Sequence, residues 1–402
     1  MAVARRALTP QRARELIASQ CFPARIDNQV GLEVEYLVAA DQWSVASTDT
    51  ELARAVVAAT PLPAQSVVTW EPGGQIELSS QPEVDATAAV AAISVDHAAL
   101  EPALAAVGLR LLPMAMEPVR LPDRCTHAAR YDAMEAYFDA DGTAGRRMMR
   151  ASAALQVNVG MGDGGAADLR WQVAHRIGPA MVAAFANSPL AGGGQTGWQS
   201  TRLANWFLID PTRTAPVVGD HAIDAWVDAV LAARVMLVKE GEHCTPVTEH
   251  LPFSAWIEGG HPLGWPDEDD LAYHLTTLFP PVRPRGWLEV RYIDANPHWD
   301  VASLVLAALL RDDDAGQAAL IAVQGTEHRW SEAARAGCRD RDLAAVAAEV
   351  VGIAAAAMEP TDADAAARCR DFSEQYPARN RCPADDLTEQ WARTRQPIGT
   401  ST

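Results

Sequence analysis

The chain has 402 residues, 49% of them hydrophobic and 21% charged, with 26 Gly and 26 Pro. These proportions exclude disorder, collagen and coiled coil as overall descriptions and allow one large domain or two modest ones. The formal charge of -19, from 52 acids and 33 bases, repels nucleic acid and anionic membranes, but a metal ion still admits anionic small substrates.

The N-terminal MAVARRALTPQRARELIASQ is a short polar helix without the apolar core of a secretion signal. Strands are expected at Val30–Ala39, Val67–Glu71 and Gln75–Ser79, each short, β-branched and bounded by turn residues. Pro72-Gly73-Gly74 reverses the chain between the last two, so they form a hairpin. Helices at Ala86–Val107 and Arg130–Phe138 lead to a strand at Ser152–Val159. Further helices are expected at Ala167–Ala186, Ala222–Leu237 and Asp269–Phe279, the last with Asp269 and Asp270 near its positive end, and a strand at Trp287–Ile293. Glycine-rich loops lie at Gly160–Gly165 and Ser188–Gly197, the second being the expected mobile segment. Beyond residue 298 the pattern is helical and Ala-rich, and Val346–Met358 is too short, and too interrupted by Glu349, to span a bilayer. The reading is α+β with an antiparallel sheet: a mixed region over 1–297, then a helical extension over 298–402 that packs on it and ends in a loose tail. Six scattered cysteines without a C-x-x-C pair argue against zinc and for reduced thiols in the cytoplasm.

A strand directs residues i and i+2 to one face. Glu33 and Glu35 therefore share a face opposite Leu32, Val34 and Tyr36, and the same alternation pairs Gln75 with Glu77, Gln156 with Asn158, and Glu289 with Arg291. A merely solvated face would use Lys, Thr and Ser, yet Lys is absent from all four segments. Glutamates are poor strand formers and repel across a sheet, so a face carrying Glu33, Glu35, Glu77 and Glu289, with Glu71 at the hairpin mouth, calls for cations. Hard oxygen ligands suit Mg²⁺ or Mn²⁺, and several of them suit two or three ions holding a polyphosphate, with a nucleoside triphosphate the natural candidate. Arg202, Arg213, Arg283 and Arg285 lie outside obvious helices, where they could clamp phosphate or carboxylate. Gly192-Gly193-Gly194 is no P-loop, there is no G-x-S-x-G elbow, and His97, His175, His221 and His274 read as packing or surface residues.

These segments resemble the glutamate–cysteine ligase family, in particular its actinobacterial type serving ergothioneine biosynthesis, related to the plant-type enzymes. The resemblance is carried by Gly31-Leu32-Glu33-Val34-Glu35, Glu71-Pro72-Gly73-Gly74-Gln75-Ile76-Glu77-Leu78-Ser79-Ser80, Gln156-Val157-Asn158, Arg202-Leu203-Ala204-Asn205-Trp206 with Asp210-Pro211-Thr212-Arg213, and Tyr273-His274-Leu275-Thr276-Thr277-Leu278-Phe279-Pro280-Pro281-Val282-Arg283-Pro284-Arg285-Gly286-Trp287-Leu288-Glu289-Val290-Arg291. It implies a curved antiparallel funnel like that of glutamine synthetase. It further implies metal ligation by Glu33, Glu35, Glu77 and bridging Glu289, a metal- or nucleotide-side role for Gln156, and Arg291 at phosphate or glutamate. Gly160, where relatives often have an acid, leaves the end of that strand open.

The implied reaction has two steps, with Mg²⁺ and ATP as cofactor and co-substrate. Glutamate is phosphorylated to γ-glutamyl phosphate, and the cysteine amine then displaces phosphate to give γ-glutamylcysteine. The substrates are small molecules, with no nucleic acid, membrane or protein partner. The alternatives are a ligase joining glutamate to another amine, a non-catalytic Mg·ATP-binding relative, and a two-metal phosphohydrolase.

Overall fold

The computed structural model describes residues 7–23, 28–40, 43, 48–162 and 164–394. Its strands are β1 (Val30–Ala39), β2 (Val67–Trp70), β3 (Ile76–Ser79), β4 (Arg110–Leu112), β5 (Ala154–Gly160), β6 (Leu190–Ala191), β7 (Gly194–Gln195), β8 (Leu237–Glu240), β9 (His243–Pro246), β10 (Val282–Pro284) and β11 (Trp287–Asp294). The main sheet runs β10-β11-β5-β1-β3-β2, with β4 paired to the far end of β1. All its pairings are antiparallel, and its central strands β1 and β5 come from distant parts of the chain.

One face of this sheet is apolar, as the alternation requires. Leu32, Val34, Tyr36, Ile76, Leu78, Leu155, Val157, Val159, Leu288 and Val290 are all buried, each aliphatic side chain contributing about 1.5–3 kcal/mol. The helices Ala86–Ala105, Trp299–Arg311 and Gly178–Phe185 pack on β1, β5 and β11 respectively. Ala86–Ala105 is long and apolar enough to cross a membrane by length and composition. Its apolar residues Ala89, Val90, Ile93, Leu100 and Leu104 are instead in the core, and its buried Asp96 accepts from the Ala64 and Ser66 amides at 2.7 and 2.8 Å. One contiguous core continues past residue 298 to Tyr376.

The structure departs from sequence expectation where turn chemistry or packing overrides a continuous apolar pattern. The expected helix Ala167–Ala186 is two helices, Gly164–Arg176 and Gly178–Phe185, broken where Pro179 lacks the donor a continuous helix needs. Gly178 is required there, because a Cβ would lie 2.0 Å from the Trp330 ring. Ala222–Leu237 stops at Ala232, and Leu237 instead opens β8, whose reversal into β9 uses Gly241 at φ +60. Asp269–Phe279 becomes Glu268–Leu275, begun by a capping box between Asp267 and Asp270. The loop Ser188–Gly197 contains the β6–β7 hairpin and is pinned at both ends: Ser188 N–H donates to Gln199 O and Thr201 N–H to Ser188 O, each at 2.9 Å. Of the expected loose tail, the described part belongs to the helix Pro383–Thr394, and the rest lies outside the described residues.

Candidate active site

The polar faces of four neighbouring strands meet. Glu35 stands opposite Glu77 across β1 and β3, Glu33 opposite Gln156 across β1 and β5, and Glu289 opposite Asn158 across β5 and β11. Side-chain hydrogen bonds stitch the strands together: Gln156 Nε2 donates to both Glu35 and Glu77 at 3.2 Å, and Asn158 Nδ2 donates to Glu33 at 3.0 Å. Ala154 N–H donates to Glu35 at 2.8 Å, Thr69 Oγ1 to Glu77 at 2.8 Å, and Trp287 Nε1 to Asn158 Oδ1 at 2.9 Å. Gln75, read from its spacing as a partner of Glu77 on this face, is buried in the turn. It accepts from Gly73 N–H and donates to Ser152 O.

That turn places Glu71. A Cβ on Gly73 would fall 1.9 Å from the Arg150 carbonyl oxygen, a backbone atom with no room to yield, and Gly74 has φ +89. Gly73→Ala is expected to cost about 1–3 kcal/mol or more and to displace Glu71. A thermal melt and a Mg²⁺ titration check this, and an unchanged Mg²⁺ response would refute the positioning role of the turn.

One carboxylate oxygen each from Glu35, Glu71 and Glu77 can be found within 4.8 Å of one another. Burial, then mutual repulsion, raises all three: Glu35 to about 8 (burial, then Glu71), Glu71 to about 7 (burial, then Glu77) and Glu77 to about 8 (burial, then Glu35). Glu33 is also raised, by burial and then Glu289, with Arg291 and the Asn158 hydrogen bond opposing. Three half-buried acids that resist joint ionisation are a donor set suited to a hard divalent cation, and the hydrogen bonds of Gln156 and Ala154 hold Glu35 and Glu77 in place for one.

Glu289 differs. It is fully buried and receives Arg283 in a bidentate pair at 2.6 and 3.1 Å, Arg285 at 3.2 Å and Arg291 at 3.0 Å. Burial alone would raise it, but Arg283, Arg291 and Arg285 hold it well below the usual carboxylate range. The expected bridging metal ligand is thus, in this structure, the anchor of an arginine cluster, because three guanidinium groups already satisfy its oxygens. Arg213 is a second correction. Its side chain is fully buried, with Nε on Asp210, Nη1 on Thr277 and Nη2 on Tyr137 Oη and Arg234 O, so no donor is left for phosphate. Arg285 is half exposed beside the Trp287 ring and lines a separate depression with Cys21 and Trp226.

Arg291 is aimed by a β-bulge: between Val290 and Ile293 of β11, Arg291 and Tyr292 stand against the single residue Gln156 of β5. Arg291 Nη1 donates to Gln156 Oε1, while Tyr292 turns to the core and donates to Ala174 O. Beside Glu35 and Glu71 opens a cavity of about 170 Å³ lined by Arg130, Arg202 and Arg291 and by Met134, Met148, Met149, Trp206 and Phe279. Arg202 Nη1 and Arg291 Nε are buried without hydrogen-bond partners among the described residues. Such a pocket offers cations to a carboxylate and an apolar wall to a short side chain. Sequence reasoning missed Arg130 and the methionines, which sit on helices whose pattern reads as ordinary core.

An α+β protein whose antiparallel sheet gathers acids beside buried arginines belongs, in this case, to a definite family: the chain is a member of glutamate–cysteine ligase family 2, whose model matches residues 29–396. The resemblance carried by its motifs is thereby borne out. Among curated proteins it is similar to the glutamate–cysteine ligase EgtA of Mycobacterium tuberculosis (strain ATCC 25618 / H37Rv), 39% identical over 390 residues, covering 94% of this chain and 89% of that one. EgtA of Mycolicibacterium smegmatis is 42% identical over 350 residues, covering 84% and 81%. The chloroplastic glutamate–cysteine ligase of Arabidopsis thaliana is 29% identical over 267 residues, covering 63% and 50%. The crystal structure of a glutamate–cysteine ligase of Francisella tularensis in complex with AMP shares the fold, at a TM-score of 0.54 and 12% identity, covering 92% of this chain and 86% of that one.

Proposed function

We propose that this chain is an ATP-dependent ligase that makes γ-glutamylcysteine from L-glutamate and L-cysteine. The observation that carries the reading is the meeting of Glu35, Glu71 and Glu77 beside an arginine-lined cavity. Those three, with Glu33 next to them, would hold two or three Mg²⁺ ions, or Mn²⁺ in their place. Bound cations would neutralise the ATP phosphates, which otherwise carry the same sign as the glutamate wall.

The γ-carboxylate of glutamate attacks the terminal phosphorus of ATP, the phosphorus–oxygen bond to ADP breaks, and γ-glutamyl phosphate forms. The cysteine amine then attacks the acyl carbon, phosphate leaves, and the amine proton passes to solvent. Arg291 stabilises charge spreading over the phosphoryl and carboxylate oxygens, and Glu289 together with Gln156 keeps it aimed there. Arg202 receives a substrate carboxylate, and the methionine and aromatic wall excludes water from the acyl phosphate.

Residues 1–297 carry this chemistry in the proposed scheme, and the helices of 298–402 support the sheet from its apolar side. The setting is the cytoplasm, where free thiols such as those of all six cysteines persist. The step is the first of ergothioneine biosynthesis, as the motif resemblance implies.

An ADP-release assay with Mg·ATP tests the reading. Sustained ADP release should require both glutamate and an acceptor, and be faster with cysteine than with serine or alanine; glutamate alone should give at most about one ADP per site. Faster turnover with another amine would make the enzyme a ligase of different acceptor. ADP formed without glutamate would make it a phosphohydrolase, and no ADP under any condition a binding protein.

A further inference from the structure

We infer that Asp294, which touches neither the cavity nor the acid cluster, is a positioning residue that holds Arg202 in place for a substrate carboxylate. This rests on the ligase reading above. Asp294 closes β11 just beyond the bulge that aims Arg291, and it is buried. Its Oδ2 accepts from Asn187 N–H at 2.9 Å and Ser188 Oγ at 2.7 Å, and its Oδ1 accepts from Ser200 Oγ at 2.9 Å.

Those two serines flank the glycine-rich hairpin, and each hydroxyl works twice. Ser188 Oγ accepts from Arg202 N–H at 3.1 Å and Ser200 Oγ accepts from Leu203 N–H at 3.2 Å, so both satisfy amides in the first turn of the helix Thr201–Phe207. One carboxylate therefore clamps both stems of the hairpin and, through two hydroxyls, sets the helix that bears Arg202. It also faces that guanidinium directly, with Oδ1 3.7 Å from Nη1. Arg202 is otherwise held by the Arg291 carbonyl at 2.8 Å and the Trp206 ring at 5.2 Å, which leaves Nη1 without a hydrogen bond among the described residues. That placement orients the guanidinium without using up the donor offered to the ligand.

Asp294→Asn keeps the shape and, because serine hydroxyls rotate, can keep the clamp, while it removes the charge opposite Arg202. The expected result is a selective rise of about tenfold in the KM for one of the two amino acids, the size of one charge-assisted hydrogen bond. The KM for ATP and kcat should stay within about twofold, and Asp294→Asn and Arg202→Lys should be non-additive in a double-mutant cycle. Equal rises in every KM, a fall in kcat alone, or strict additivity would overturn the inference. If Asp294→Asn does not fold, Ser188→Ala leaves the charge in place and should still raise the KM for one of the two amino acids selectively, by roughly threefold for one neutral hydrogen bond, unchanged values for both counting against the role. Wild-type protein without glutamate- and cysteine-dependent ADP release would instead remove the ligase reading itself.

Discussion

Glu77→Gln is expected to lower turnover by on the order of 10² or more, the loss of one preorganised charge stabiliser, while making the ligand-free protein more stable at neutral pH. The amide fits the site: its oxygen can accept from Gln156, and its NH₂ faces the rotatable hydroxyls of Thr69 and Ser79. The stability gain follows from the sign of the shift. Glu77 titrates at about 8 in the folded chain, chiefly through burial and then Glu35, against roughly 4.3 when unfolded. A group raised on folding binds its proton more tightly in the native state, so native stability falls as pH climbs from the unfolded value through about 8. Removing the acid removes that loss. Melting temperatures should therefore agree near pH 4 and diverge in favour of the variant towards pH 8.5, whereas Mg·ATP should stabilise the wild type more. Identical melts at both pH values, with an unaltered Mg²⁺ titration, would take Glu77 out of the cation site.

Arg291→Ala should reduce kcat/KM by about 10²–10³ and impair the use of glutamate or ATP more than that of cysteine. The fold should survive, because Glu289 keeps its bidentate pair with Arg283 and its contact with Arg285. The same change removes a cation that lowers Glu33, Glu35 and Glu71. Their proton affinities then rise further, so protons compete better with Mg²⁺ and the ascending limb of the pH–activity profile moves to higher pH. Activity followed from pH 6 to 9 at fixed Mg²⁺ reads this directly. A rise confined to the cysteine KM, with the profile unmoved, would contradict the assignment.

Both effects trace to residues that period-2 spacing alone puts on one face. Glu33, Glu35, Glu77, Gln156, Asn158, Glu289 and Arg291 alternate with buried apolar neighbours, and a strand has only two faces on which to place them. The E-P-G-G turn was legible for the same local reason: glycine has to stand where a side chain would strike the Arg150 carbonyl. Helix ends were less legible, since Ala-rich runs continue in sequence past the points where Pro179 or a new hairpin stops them in space.

What the amino-acid order determined by itself was the α+β class, the polar face of each long strand and the family, because period and turn chemistry act over a few neighbouring residues. Only the tertiary structure decided which charges meet. It drew Glu71 to Glu35 and Glu77, surrounded Glu289 with three arginines, sealed Arg213 into a pair with Asp210, and brought Met148 and Arg130 to the cavity. The physical reason is that whether a carboxylate seeks a metal or a guanidinium depends on separation and burial across strands and helices far apart in the chain, and no local pattern encodes those distances.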